Sequence, residues 1–276
     1  MGAMDETTGI RIIRTALDRG INHVDTAQGY RSSEETVGKA LRDGYRDKCF
    51  LVTKASFDFS QDGILTAIED SLRKLQVEYV DLYLIHNWNP RYPVDKSMGT
   101  MAGIRKQGKA RFIGVSNFNT EQMQQAGGAA SFQANQVCYN LIDRQIEAKD
   151  LPFCEQEGIG IIVHSPLAKG LLTGRYGPEH RFPADDERSG FPRFQGQRFS
   201  SYLAAAERLR EVAAAKGISL VQLAVAWTLR QPTVSSVLVG VKSVEQLEEH
   251  LGAVEVTFSA RELEQIDAAT VEVVER

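Results

Sequence analysis

Between residues 21 and 86, three short apolar runs each end at a residue able to do chemistry. They read INHVD, FLVTK and VDLYLIH, closing on Asp25, Lys54 and His86, and Tyr30 follows the first within GINHVDTAQGY. If the runs are neighbouring parallel strands, their ends converge, and an acid, a lysine, a histidine and a phenol share one pocket at the C-terminal face of a sheet. Such a set combines a proton donor with fixed charges, the parts needed to stabilise negative charge growing on an oxygen. Singly, a strand-end Asp reads as a helix cap or an ion-pair partner. Three such residues closing three strands at the spacing of a βα repeat are poorly explained by packing.

The elements that would position these residues follow from periodicity. Ile10, Ile13, Ala16 and Leu17 repeat at helical spacing before Gly20, and Ile64, Ala67, Ile68, Leu72 and Leu75 form one face of a later helix. Strands are expected to start near residues 22, 49, 80, 111, 134, 159 and 234, with helices between them. Ser32 with Glu35, Ser219 with Gln222, Ser243 with Gln246 and Ser259 with Glu262 have the spacing of capping boxes. Residues 171–200 crowd Gly, Pro, Arg and Asp without periodicity, which predicts a long loop of the lid kind. Alternation of strand and helix predicts a parallel sheet covered by helices, and no linker divides residues 1–276, so one domain is expected.

Composition narrows the function classes. The chain has 276 residues, is 42% hydrophobic and carries a formal charge of -4, with positive residues scattered rather than blocked. No basic footprint for nucleic acid is present. No apolar run reaches the length of a membrane helix, and the opening residues lack the apolar core of a signal peptide. Cys49, Cys138 and Cys154 cannot all pair, which suits a reducing cytoplasm. His23, His86, His164, His180 and His250 lack ligand spacing with cysteine or carboxylate, so no metal site is expected. With no GxGxxG, a Rossmann binder is not expected either.

Taken in order, GINHVDTAQGY, SSEETVGKAL, VTK, DLYLIH, IGVSNF, QVCYN, HSPLAKGLLTG and VGVKSVEQLEEHLGA make the chain resemble an aldo-keto reductase over about 250 residues. The resemblance implies a (β/α)8 TIM barrel and NADPH-dependent reduction of an aldehyde or ketone to the alcohol, reversibly. It implies that Tyr30 is the general acid, that Lys54 and Asp25 adjust it, and that His86 orients the carbonyl. A lysine cation favours the phenolate, so Tyr30 is expected below the ordinary phenol value of about 10. By the same resemblance Ser116, Asn117 and Gln136 meet the nicotinamide amide. Ser165, Leu167, Gly170 and Gly174 belong to the pyrophosphate loop, and Gly240, Lys242, Ser243, Gln246 and Glu249 to the adenosine end. Lys242 and Ser243, before a helix start, suit the extra phosphate of NADP. The implied partners are a small carbonyl substrate and, as an option, further copies of the chain.

Three departures from the family pattern carry expectations. No apolar strand precedes the first helix, so a barrel lacking its first strand is expected, with seven strands and two edges whose N–H and C=O groups lack partners. His164 stands where the family usually has an aromatic that stacks on nicotinamide. Arg31 replaces a glycine after the tyrosine, and His250 replaces an asparagine near adenine. The missing strand supports a second reading, a nucleotide-binding regulatory or vestigial barrel without useful turnover, and the intact Asp25, Tyr30, Lys54 and His86 set argues against it.

Overall fold

A computed structural model describes residues 4–274. The chain opens with α1 (Glu6–Asp18), then β1 (His23–Asp25), α2 (Ser33–Ala40), β2 (Phe50–Ala55), α3 (Gln61–Leu75) and β3 (Val80–Ile85). It continues through α4 (Val94–Lys106), β4 (Ala110–Ser116), α5 (Thr120–Ala129), β5 (Ala134–Cys138), α6 (Asp150–Glu157) and β6 (Gly160–His164). The last elements are α7 (Gly196–Ala215), α8 (Leu220–Leu229), β7 (Val234–Val237), α9 (Val244–Leu251) and α10 (Ala260–Thr270). The seven strands pair in chain order and all in parallel. This is the (β/α)8-type barrel architecture that the alternation of elements predicts. Among the described residues the strand count is seven, and β1 and β7 stand at the two ends of the hydrogen-bonded order.

Strand periodicity sorts side chains to two sides. Val52, Leu82, Leu84, Ala134 and Ile162 form a small inner core, while Leu51, Tyr83, Ile85, Ile113 and Val115 join the larger outer core under the helices. The register pairs inner positions across neighbouring strands: Val52 pairs with Leu82, Leu82 with Phe112, and Ser116 with Gln136. Toward the C-terminal strand ends the inner positions become polar on β1, β2, β4, β5 and β6, where Asp25, Lys54, Ser116, Gln136 and His164 gather as a polar layer at the mouth. The layer is staggered in register, so that Asp25 pairs with Val52, Lys54 with Leu84 and Gln136 with Ile162. A barrel interior there needs groups that face a ligand rather than fill space.

Helix starts depart from expectation at two places. Ser219 with Gln222 and Ser259 with Glu262 form reciprocal capping boxes. Ser32 makes no side-chain cap, because its backbone is already turned (φ -89°, ψ 13°) and its carbonyl accepts the Thr36 hydroxyl. At α9, Ser243 caps Gln246, while the Gln246 side chain accepts from Lys242 N instead of closing the box. The segment expected as a long loop holds short 3₁₀ turns at Glu187–Gly190 and Pro192–Phe194, and α7 begins at Gly196. Contacts among Tyr176, His180, Phe182, Phe194 and Phe199 pack it without any regular repeat. Among the described residues, no single helix is long and apolar enough to cross a membrane.

Two glycines separate entropy from space. Gly114 on β4 would place a Cβ 2.5 Å from the Ala134 carbonyl oxygen and 2.7 Å from Leu84, so Gly114→Ala is expected to cost about 1–3 kcal/mol by overpacking. Gly103 in α4 would place its Cβ in open space, and Gly103→Ala is expected to stabilise by about 0.5–1 kcal/mol. Urea unfolding of both variants checks the signs; a neutral Gly114→Ala would contradict this packing.

Candidate active site

The polar layer is built around a buried ion pair. Lys54 is fully buried, and its Nζ donates to Asp25 Oδ1 at 2.5 Å and to the Thr26 carbonyl at 2.7 Å. Asp25 accepts a second bond at Oδ2 from Gln136 Nε2 at 2.8 Å, which ties β1 to β5 across the barrel. Burial pulls the Lys54 ammonium below the ordinary lysine value, and the Asp25 charge opposes that pull. Tyr30 sits on the loop after β1 with its ring over Lys54 Nζ, 5.1 Å from the centroid. Its hydroxyl lies 3.4 Å from His86 Nε2. The sequence brought these four residues to one place, and the structure joins them.

Tyr30 departs from expectation in its acidity. Tyr30 stays 44% exposed at the cavity mouth, and its partial burial, followed by the Asp25 charge, pushes its phenol up to about 12. Lys54 is spent on Asp25 and Thr26, so the neighbouring carboxylate offsets the cation expected to lower it. Tyr30 therefore keeps its proton at neutral pH and stands as a donor. His86 and His164 are both held down to about 4, first by burial and then by the Lys54 charge, so both rings are neutral at pH 7.

A cavity of about 1140 Å³ opens above this layer. Asp25, Tyr30, His86, Ser116, Asn117, Gln136, His164, Ser165 and Gly240 all line it, so most of the candidates drawn from sequence share one space. Lys54 lies behind Asp25. Leu167, Gly170, Lys242, Ser243, Gln246 and Glu249 are outside its wall: Leu167 packs into the core, and Ser243 caps α9 beyond the mouth. The cavity also reaches residues of both end strands, His23 on β1 and Ser236 and Val237 on β7.

Two further groups in the wall escaped the sequence reading. Asp143 accepts from Arg193 at 2.7 and 3.0 Å, and Lys169 pairs with Glu187 at 2.9 Å, so residues before α7 are pinned to the mouth by charge. Those pairs span 50 and 18 residues of chain, and no local pattern announces them. His164 makes edge contacts instead of lying free: Nε2 is 2.8 Å from Asn117 Oδ1 and Nδ1 is 3.1 Å from Ser165 Oγ. Asn117 Nδ2 faces the His86 carbonyl, Asn87 Oδ1 and Ser116 Oγ, all within 3.3 Å. Arg31, Asn117, Ser165, Ala168 and Lys169 all take left-handed backbone (φ 47–58°), each at a cost of about 1–3 kcal/mol. Such strain gathers where loops leave the strand ends around this cavity.

Residues 1–271 match the sequence profile of the Aldo/keto reductase family. The chain belongs to the aldo/keto reductase family. The Bacillus subtilis protein named aldo-keto reductase YhdN is 39% identical over 260 residues, covering 90% of this chain and 78% of that protein. The structure of the glycerol dehydrogenase AKR11B4 from Gluconobacter oxydans superposes with a TM-score of 0.92 at 34% identity, covering 100% of this chain and 89% of that one. An aldo/keto reductase from Klebsiella pneumoniae, solved in complex with NADP and acetate, gives 0.79 at 31% identity, covering 96% and 86%.

In this family member the two depressed imidazoles make stability depend on pH. Their folded values near 4 lie below the free value of 6.5, so the unfolded chain takes up protons that the folded chain refuses. Their contribution is complete above about pH 6.5 and is lost as pH falls through about 4. Thermal unfolding should drop between about pH 7 and about pH 4.5, and less steeply in a His86→Asn, His164→Asn double variant. Equal slopes would contradict the neutral, buried assignment.

Proposed function

We propose that this chain is an NADP(H)-dependent carbonyl reductase that interconverts an aldehyde or ketone with its alcohol. The observation that carries the reading is Tyr30: a protonated phenol, 3.4 Å from a neutral histidine and over a buried lysine–carboxylate pair, at the wall of a cavity large enough for a dinucleotide. The donor set fits such a cofactor. Ser116, Asn117 and Gln136 are amide and hydroxyl groups suited to a carboxamide, and Gln136, which gives its Nε2 to Asp25, keeps Oε1 as an acceptor. By the family resemblance Ser165 at the wall, with Leu167 and Gly170 just outside it, would hold the pyrophosphate. Gly240 at the wall, with Lys242, Ser243, Gln246 and Glu249 beyond the mouth, would hold the adenosine end, and the Lys242 cation suits the additional phosphate.

When bound, NADPH supplies the hydride. The chain's own residues handle the resulting charge. As the carbonyl oxygen becomes an alkoxide, Tyr30 gives it the phenolic proton, and the positive end of the Lys54–Asp25 pair lies beneath the phenolate that remains. His86 holds the oxygen near the phenol with its neutral ring. In the reverse direction Tyr30 takes the alcohol proton through the same contacts. His164 offers an edge-bonded imidazole at the place where the family pattern has a stacking ring.

The reading treats residues 1–276 as one barrel domain working in the cytoplasm, where the free thiols of Cys49, Cys138 and Cys154 would stay reduced. Tyr30→Phe is expected to lower aldehyde-dependent NADPH oxidation by about 10²–10⁴-fold while NADPH still quenches tryptophan fluorescence with an unchanged midpoint. Retained turnover in Tyr30→Phe would remove the proton donor from the reading. Saturable NADPH binding with no turnover on any aldehyde or ketone in the wild-type chain would instead favour the regulatory barrel.

A further inference from the structure

Ser56 lies just beyond β2 and is missing from the family-derived set, yet it makes the shortest contact to His86. Its Oγ is 2.8 Å from His86 Nδ1. Three neighbours decide which way the hydroxyl proton points. Gly29 N–H donates to Ser56 Oγ at 3.1 Å, so one lone pair is already used. The Lys54 carbonyl is the other acceptor within reach, at 3.4 Å, and it is already taken by Gln28 N–H at 3.1 Å. A hydroxyl hydrogen bond is best near 2.7–2.8 Å and weak at 3.4 Å, so the proton goes to His86 Nδ1. The Ser56 backbone N–H is itself held by Gln28 Oε1 at 3.1 Å, which fixes the residue in place. Gly29 permits the approach: a Cβ there would stand 3.2 Å from Ser56 Oγ.

A neutral imidazole that accepts at Nδ1 carries its proton at Nε2. We infer that Ser56 is a positioning residue that locks His86 in the Nε2–H form, turning an N–H rather than a lone pair toward the Tyr30 oxygen 3.4 Å away and the substrate oxygen beside it. The consequence for chemistry is directional. With an N–H and not a lone pair facing it, Tyr30 keeps its own O–H for the substrate oxygen. When that proton leaves, the phenolate already faces a donor. The opposite tautomer would turn the Tyr30 hydroxyl toward Nε2 and take its proton away from the substrate. The catalytic consequence rests on the proposed reductase reading; the tautomer itself does not.

The test is a long-range proton–nitrogen NMR correlation on the full chain labelled in histidine, with His86 assigned from the spectrum of His86→Gln. The expected wild-type result is an unprotonated Nδ1 and a protonated Nε2 at neutral pH. Ser56→Ala should move His86 toward the Nδ1–H form and lower kcat by roughly three- to tenfold, the worth of one neutral hydrogen bond, with KM for the aldehyde unchanged. Ser56→Thr, which keeps the hydroxyl, should restore both the spectrum and kcat. His86 found as the Nδ1–H form in the wild type, or unchanged in Ser56→Ala, would overturn the inference. A Ser56→Ala chain that fails to fold leaves the wild-type spectrum as the deciding result. The correct tautomer in a chain without turnover would support the inference and defeat only the reductase reading.

Discussion

A lysine with no exposed surface needs a compensating charge, and Asp25 supplies it to Lys54 at 2.5 Å. Removing one member of such a pair leaves a buried charge alone, at a cost of several kcal/mol, which is why much else follows from it. Asp25 must stay at the end of β1, so β1 must pair with β2, and Gln136 on β5 must reach over to its second oxygen. Tyr30 inherits its surroundings from the pair. Its ring rests over the ammonium, while the carboxylate and burial keep the phenol protonated. A tyrosine in that state is held as an acid whose conjugate base is stabilised only where the ammonium and His86 can reach it.

The strand pattern turns this local arrangement into a site. Inner positions repeat every second residue along each strand. Val52, Leu82, Leu84, Ala134 and Ile162 fill the interior, and Asp25, Lys54, Ser116, Gln136 and His164 take the inner positions at the C-terminal ends of their own strands, staggered from one strand to the next. One rule therefore packs the barrel and furnishes its mouth. The left-handed residues at Arg31, Asn117, Ser165, Ala168 and Lys169 follow from the same geometry, since the chain must turn sharply from each strand end toward the next helix.

Much of this was legible in the sequence. All seven strands and the convergence of Asp25, Tyr30, Lys54 and His86 follow from short apolar runs that end in polar residues, a signal confined to a few neighbouring positions. What depended on distant partners was not legible. Ser56 gains its meaning from His86, thirty positions on, and Asp143 from Arg193, fifty positions on. The acidity of Tyr30 was read in the wrong direction because spacing reports that a lysine is near, whereas burial and the lysine's commitment to Asp25 decide its effect. Ser32 had the letters of a capping box, but the turn leading into α2 had already fixed its backbone.

The central claim is that Tyr30, Lys54 and Asp25 act as one unit, and a double-mutant cycle tests it most directly. Turnover with NADPH and a simple aldehyde would be measured for the wild type, Asp25→Asn, Lys54→Met and the double variant, each checked for folding by circular dichroism. If the pair works as a unit, each single change should cost nearly as much in kcat as both together. Costs that multiply, each residue contributing independently of the other, would contradict the account.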